Sequence, residues 1–153
     1  VTMKYNHTNF GYTAAEMLAR GDGHGQCTAW ADLLVLALRV QGPQARSVSV
    51  DPPLGRDAGS VAVRPMPAQG SGGANYFPGT HEAGGFVFHQ VVRVEAYPHA
   101  IYDPSYGTSA HRSGEVSAEL AYQRAAFTHW FDPSINDWVE FDAFGDLLIS
   151  VGN

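Results

Sequence analysis

The stretch CTAWADLLVLALRVQ, residues Cys27–Gln41, decides how this chain folds. Apolar side chains recur in it at intervals of three and four residues, at Trp30, Leu33, Leu34, Ala37 and Leu38. That spacing gathers them on one face of an α-helix, and Gly42 followed by Pro43 is a typical stop signal. We therefore predict a helix over residues 27–41, with Cys27 in its first turn and on its buried face.

The segments on either side of this helix have patterns of their own. Residues 13–20 predict a shorter helix in which Thr13 is the N-cap and Glu16 completes a capping box. The glycine-rich stretch 21–26 is expected to be a turn. After the long helix, polar and apolar residues alternate over Ala45–Val50, which predicts a strand.

The second half of the chain is rich in residues that favour β-structure. Residues 86–96 predict a strand in which His89 and Val91 lie on the same face. A turn at Pro98 leads into a return strand, Ala100–Asp103. The two strands therefore form a predicted hairpin.

Helical composition returns over residues 115–127. One side of that predicted helix carries Val116, Leu120 and either Ala121 or Phe127. Two further strands are expected over residues 138–141 and 147–151. Helices at the start followed by a run of strands indicate an α+β fold.

A long segment, residues 51–85, separates the first strand from the hairpin and is rich in Gly, Pro, Ser and Ala. Only one short strand is expected within it, over residues 60–64. A loop of this length is unusual in a compact domain and is often functional. We interpret it as an insertion over the site, or as a lid.

The composition limits the classes of function. A chain of 153 residues suits one domain, residues 1–153, with a substantial core, and its start at Val1 is compatible with excision from a longer protein. Nine Lys and Arg against fifteen Asp and Glu give a net charge of −6, which disfavours nucleic acid or anionic lipid as a partner. The sequence has no apolar run near the roughly 20 residues that span a bilayer.

Cys27 is the single cysteine of the chain. It cannot close an intrachain disulfide or build a multi-cysteine metal site, so it is either a small buried hydrophobic residue or a reactive thiol. The start of a helix has partial positive charge and N–H groups without partners inside the helix. Both favour a nucleophilic thiolate, and the N–H groups can stabilise an oxyanion at an attacked carbonyl.

A cysteine nucleophile needs a base, and His89 is the best candidate among the seven histidines. It stands on the inward side of an otherwise apolar strand; a core histidine bonded to the backbone is the other interpretation. Asp103 is on the return strand of the same hairpin and can orient the imidazole. Asp103 can also cap the turn that it forms with Pro104 and Ser105, and the two roles are compatible.

Two segments resemble the transglutaminase-like superfamily. GQCTAWADLLVLALRVQGPQAR, residues 25–46, is similar to its nucleophile segment, where a glycine-rich turn leads into a cysteine, a helix, a turn of small residues and a strand. FHQVVRVEAYPHAIYDPSYG, residues 88–107, resembles the strands that carry the histidine and the aspartate of that superfamily. The resemblance covers residues 20–107.

This resemblance implies a papain-related core in which the helix that starts at Cys27 packs on an antiparallel sheet. It implies a triad of Cys27, His89 and Asp103 that transfers acyl groups from amide or peptide carbonyls through a thioester. Resolution by water makes a protease or amidase, and resolution by an amine makes a cross-linking enzyme. A protein or peptide is the expected partner, and no cofactor is expected. A catalytically inactive binding module with the same fold is the alternative.

Four other side chains are candidates near the nucleophile. A second oxyanion donor could come from Gln26, His24 or Tyr12. Tyr76, in the long loop, could contact substrate.

Several other histidines invite comparison with a metal site. They and a neighbouring acid are His81, Glu82, His99, His111 and His129. They lack the HExxH or i, i+4 spacing that aligns ligands on a helix, so we expect scattered surface histidines and no metal site.

Overall fold

The structure is a computed structural model that describes residues 4–5, 13–20, 24–52, 61–63, 88–95, 99–105, 107–140 and 149–150. Within these ranges the helices are α1 (Ala14–Arg20), α2 (Cys27–Gln41) and α3 (Ala118–Ala126). The strands within them are β1 (Lys4–Tyr5), β2 (His24–Gly25), β3 (Ala45–Val50), β4 (Val61–Val63), β5 (His89–Val94), β6 (Ala100–Asp103), β7 (Thr108–His111), β8 (Phe127–Asp132), β9 (Asp137–Glu140) and β10 (Ile149–Ser150).

Helix α1 begins with the predicted capping box. The backbone N–H of Thr13 donates to Oε2 of Glu16 over 2.8 Å, and the N–H of Glu16 donates to Oγ1 of Thr13 over 3.2 Å. These bonds satisfy N–H groups that have no partner inside the helix. The capping box is confirmed.

Helix α2 begins at Cys27 and ends at Gln41, as the sequence predicts. Gly42 ends it with a left-handed φ of 103°, and its N–H donates to the carbonyl of Arg39. A residue with a Cβ adopts that conformation only with strain, which explains the glycine.

The buried face of α2 is partly different from the predicted one. Its buried residues are Cys27, Ala29, Trp30, Ala31 and Val35. Leu33, Leu34 and Leu38 are half-buried, whereas Ala37 is exposed, so its predicted place in the core is wrong. The first half of the helix packs on two neighbours, α1 and the sheet, and therefore buries more than one stripe. The second half buries a single stripe against the sheet, with Val35 buried and Leu38 packed beside it.

The strands form three groups. The largest sheet has the order β10-β3-β5-β6-β7, and every neighbouring pair in it is antiparallel. A three-stranded antiparallel sheet has the order β4-β8-β9, and β1 pairs in parallel with β2. With three helices, these sheets make an α+β fold.

Helices α2 and α3 cover opposite faces of the five-stranded sheet. On the α2 face, the buried cluster is Ala31, Val35, Ala45, Val92 and Val94. On the α3 face, the buried cluster is Val48, Val50, Val91, Ile101, Ala118, Tyr122, Ala126 and Phe127. Since successive residues of a strand point to opposite faces, β5 contributes Val92 to one cluster and Val91 to the other.

Two expectations about local structure are wrong, the turn over residues 21–26 and the buried face of the third helix, and the start of that helix is shifted. Residues 21–26 were expected to be a turn, but His24–Gly25 pairs with Lys4–Tyr5. The helix expected over 115–127 begins only at Ala118, because Ser117 is its N-cap and its Oγ accepts the N–H of Leu120 over 3.1 Å. It buries Ala118, Tyr122, Gln123 and Ala126, and leaves Val116, Leu120 and Ala121 half-buried; Phe127 is buried but belongs to β8.

Other expectations are confirmed with shifted ends. The strand within 60–64 is β4, and the strands expected over 138–141 and 147–151 are β9 and β10. The rest of the long segment, residues 53–60 and 64–85, lies outside the described residues, and so does the predicted lid. None of the three described helices is long and apolar enough to cross a membrane.

Candidate active site

The lengths of α2 and β3 place Cys27 and His89 at the same end of the sheet. Helix α2 has 15 residues and is about 22 Å long. After a three-residue connection, the chain runs back along β3, whose six residues span about 20 Å. The last residue of β3, Val50, lies opposite His89, the first residue of β5. The chain therefore returns along β3 to the end of the sheet where α2 begins, and His89 lies at that same end.

The register of the β5–β6 hairpin brings His89 and Asp103 together. Val92 lies opposite Tyr102, so Asp103 continues the pairing opposite Val91, on the diagonal from His89. Diagonal neighbours share a face and lie within reach of long side chains. Nε2 of His89 is 2.9 Å from Oδ2 of Asp103, and each residue is only 1% exposed.

Three donors surround the carboxylate of Asp103. Oδ2 faces Nε2 of His89 and also accepts the hydroxyl of Tyr122 over 2.5 Å. Oδ1 accepts the backbone N–H of Ser105 over 3.0 Å. Asp103 thus both contacts the imidazole and caps the turn that follows it, as the sequence allowed.

Cys27 lies on the other side of the imidazole. Its thiol is close enough to the His89 ring to raise the pKa of the imidazole. Since Nε2 faces Asp103, the second ring nitrogen, Nδ1, is the one available to the thiol. Cys27 is buried, with 4% of its surface exposed. The sulfur, the imidazole and the carboxylate therefore form one continuous buried chain.

The surroundings of His89 change its basicity in opposite directions. Burial disfavours the charged imidazolium and lowers the pKa, whereas the charge and hydrogen bond of Asp103, and then those of Cys27, raise it. The net result raises the pKa of His89 from 6.5 to about 10. At neutral pH the ring is therefore an imidazolium next to the sulfur, which favours a thiolate.

The start of α2 faces the same place. Gln26 is the N-cap in an extended conformation, and its carbonyl accepts the first helical bond, from the N–H of Trp30 over 3.0 Å. The N–H groups before Trp30 in the first turn have no acceptor inside the helix, and such groups can donate to an oxyanion. Gly25, just before, packs so closely that a Cβ there would overlap Sδ of Met17.

The secondary candidates have different positions. Gln26 is half-buried at the start of α2, and the backbone of His24 lies in β2, paired with Lys4. Tyr12 and Tyr76 lie outside the described residues. Gln26 is thus the secondary candidate whose side chain is described next to Cys27.

Metal ligands do not cluster in the part of the chain that the structure describes. There, no group of three or more His, Cys, Asp or Glu could hold an ion. His99 and His129 are half-buried and His111 is exposed, whereas His81 and Glu82 lie outside the described residues.

One residue of the site was missed by the sequence analysis, Tyr122. Tyr122 lies on α3 and is 2% exposed. Its hydroxyl reaches Asp103, which is 19 residues earlier in the sequence. A tyrosine on the buried side of an amphipathic helix needs a partner for its hydroxyl, which is the signal that could have found it. The helical face was assigned to Leu120 instead, so that signal was missed.

A separate cleft of about 570 Å³ lies between α1, α2 and β3. Residues that line it include Thr13, Asp32, Leu36, Arg39 and Ser47. Cys27, His89 and Asp103 do not line it, so it is not part of the candidate site.

Comparison with known proteins adds no relative. No family model matches the chain, and neither a curated protein nor a solved structure matches it. The resemblance to the transglutaminase-like superfamily therefore remains a prediction from residues 25–46 and 88–107.

Proposed function

We propose that this chain is a cysteine-dependent acyl-transfer enzyme of the transglutaminase-like kind, which acts on amide or peptide carbonyls. One observation carries the proposal: the buried sequence of contacts from Cys27 to His89 to Asp103, with 2.9 Å between Nε2 and Oδ2. A buried histidine that only filled the core would need neither a carboxylate 2.9 Å from Nε2 nor a thiol close enough to raise its pKa.

The first half of the reaction forms a thioester. The thiolate of Cys27 attacks the carbonyl carbon, and the electron pair of the C=O bond moves to oxygen. N–H groups at the start of α2 stabilise that oxyanion. When the intermediate collapses, the C–N bond breaks and the imidazolium of His89 gives its proton to the departing amine.

The second half of the reaction releases the acyl group. His89, now neutral, takes a proton from water or from a primary amine as that nucleophile attacks the thioester. The C–S bond breaks, and Cys27 leaves as a thiolate beside the imidazolium. Water makes the enzyme a protease or amidase, and an amine makes it a transamidase.

A thiol-labelling experiment tests the proposal. The rate of alkylation of Cys27 by iodoacetamide is measured from pH 4 to 10, in the parent chain and in His89→Gln. We expect a plateau that begins well below the ordinary thiol pKa of about 8.5, and its loss in the variant. A rate that follows an ordinary thiol in both proteins contradicts the proposal.

A second experiment separates the two outcomes of the chemistry. A glutamine-containing peptide is supplied with and without a primary amine, and Cys27→Ala serves as the inactive control. Product that contains the amine indicates transamidation, whereas acid and ammonia alone indicate hydrolysis. Absence of both products with a broad peptide library would argue against either activity.

The alternative is a non-catalytic binding module, and the burial of Cys27 at 4% exposure favours it. A sulfur shielded in the free protein has little access to substrate. In that case alkylation stays slow across the whole pH range, and Cys27→Ser leaves binding of any peptide partner unchanged.

A further inference from the structure

The hydroxyl of Tyr122 is the buried polar group of the site that the proposed reaction does not use. It lies on α3, whereas His89 and Asp103 lie on β5 and β6, so it comes from an element outside the hairpin. It donates to the same oxygen, Oδ2 of Asp103, that faces the imidazole. Its bond of 2.5 Å is in the range of strong charge-assisted O–H···O bonds.

We infer that Tyr122 is a positioning residue, whose hydroxyl fixes the rotation of the Asp103 carboxylate so that Oδ2 stays directed at His89. This inference rests on the proposed function, since it names a further residue of the same site. The turn holds Oδ1 through the N–H of Ser105, and Tyr122 holds Oδ2. These two anchors define the plane of the carboxylate independently of the imidazole, whereas without Tyr122 the contact to Oδ2 comes only from the His89 ring that the carboxylate must orient.

The position of the Tyr122 ring is itself fixed. The ring packs edge to face on Phe127, with centroids 5.8 Å apart, inside the cluster on the α3 face. Further along the same face, Nη1 of Arg93 pairs with Oε1 of Glu119 over 3.2 Å and joins β5 to α3. The hydroxyl is therefore held at its distance from Asp103 by contacts that do not involve the site.

The groups around the imidazole affect the titration of His89, which can be measured. Asp103 from β6 and Cys27 from α2 act on His89 directly, and Tyr122 from α3 acts through Asp103. If the hydroxyl anchors the carboxylate, its loss weakens the hold of Asp103 on the imidazolium. If the hydroxyl only neutralises part of the negative charge of Asp103, its loss strengthens the attraction between Asp103 and the imidazolium instead. The direction of change in the titration of His89 separates the two.

The test compares Tyr122→Phe with the parent chain. The titration midpoint of the His89 ring is measured by NMR of ¹⁵N-labelled protein, and turnover of the peptide is measured alongside. We expect Tyr122→Phe to lower the midpoint by at least about half a unit and kcat about tenfold, with KM changed less than about twofold. A midpoint that is unchanged or higher overturns the inference.

Two further proteins keep the test decisive. Val92→Ala lowers thermal stability from the opposite face of the sheet and does not touch the packing of Tyr122, so it should leave the His89 midpoint in place. Incorporation of 4-aminophenylalanine at position 122 restores a donor at the ring tip and should restore the midpoint. Failure of that rescue also overturns the inference. The two proposals can fail separately. If Tyr122→Phe lowers the midpoint but Cys27 reacts as an ordinary thiol, the proposed function is contradicted and the anchoring of Asp103 by Tyr122 is still supported.

Discussion

The two faces of the five-stranded sheet bury different chemistry. The buried cluster on the α2 face is apolar and includes Val92 and Val94, so it contributes cohesion. The α3 face combines an apolar cluster with His89 and Asp103, which are as deeply buried as the valines beside them. A sheet can thus keep one face for stability and use the other to hold polar groups in fixed positions.

This difference has an energetic basis. Apolar burial contributes roughly 25 cal/mol per Å², whereas a buried ion pair gives little net stability, because desolvation offsets its attraction. The polar chain on the α3 face is therefore poorly explained as a stabilising device. We expect substitutions on the two faces to affect different properties.

The largest effect should come from His89. Replacing it by Gln removes the proton donor of the site, and activity and low-pH alkylation of Cys27 should fall about a thousandfold or more. The same change at the exposed His111 is the matched control and should have no effect. Comparable activity in both variants would contradict the division between the faces.

Asp103→Asn should have the next largest effect. The amide keeps the size of the side chain but removes the charge that holds the imidazolium, so kcat should fall about a hundredfold or more. Asp132→Asn is the control, because Asp132 accepts the N–H of Ser134 over 2.9 Å, just as Asp103 accepts that of Ser105. If the two variants lose equal activity, turn capping and not orientation of His89 is what Asp103 provides.

The pH dependence of stability should expose the charge on the α3 face. The pKa of His89 is raised in the folded protein, so its contribution is fully present below pH 6.5 and is lost as the pH rises toward about 10. Titration of the thiol would mask this, so the variant to use is Cys27→Ala. Its free energy of unfolding should fall by up to about 1.4 kcal/mol per pH unit above pH 6.5, over a narrower window than in the parent chain, because the part of the raised pKa that Cys27 causes is lost.

Denaturant melts at four or five pH values measure this slope. The double variant Cys27→Ala, His89→Gln should have a flat profile over the same window. An equal slope in both proteins would assign the effect to another group.

On the α2 face, Val92→Ala should reduce stability without touching the chemistry. Val92 is fully buried, and the loss of its methyl groups together with the cavity should cost about 2 kcal/mol. Activity per folded molecule should stay at the parent level. Val40→Ala, at a position that is 89% exposed, is the control for both measurements. Loss of turnover in folded Val92→Ala would show that the faces are coupled.

The smallest effect should come from Ser117→Ala. Its hydroxyl caps α3, the helix that carries Tyr122, and loss of a cap costs about 1 kcal/mol. Ser113→Ala, just before the helix, is the exposed control. The titration midpoint of His89 should not move, because the Tyr122 ring is held by packing as well as by the start of its helix.

Local patterns in the sequence were enough to predict the elements that carry Cys27, His89 and Asp103. The periodicity of α2, its glycine stop and the strand that follows are encoded within about 25 residues, where propensity and burial agree. The hairpin is equally local, so its two polar residues could be paired from the turn between them. These three positions are also the ones that the structure brings together.

Other parts depended on contacts that sequence patterns do not display. Strand β7 has the sequence TSAH and no alternation of apolar residues, so its pairing with β6 comes from the sheet edge rather than from propensity. Strand β8 begins directly where α3 ends, and a helical composition conceals that boundary. Tyr122 was missed for the same reason, because packing between α3 and the sheet decides which helical face is buried.

The three helices also differ in how they begin. Thr13 and Ser117 cap α1 and α3 with their side chains, whereas Gln26, within the described part of the chain, makes no side-chain capping bond for α2. A serine or aspartate at position 26 would make the fold more heat-resistant, since a good cap is worth about 1 kcal/mol. It would also occupy the amides to which we assign the oxyanion of the proposed reaction. In the proposed enzyme, a change at position 26 that increases stability would therefore reduce turnover.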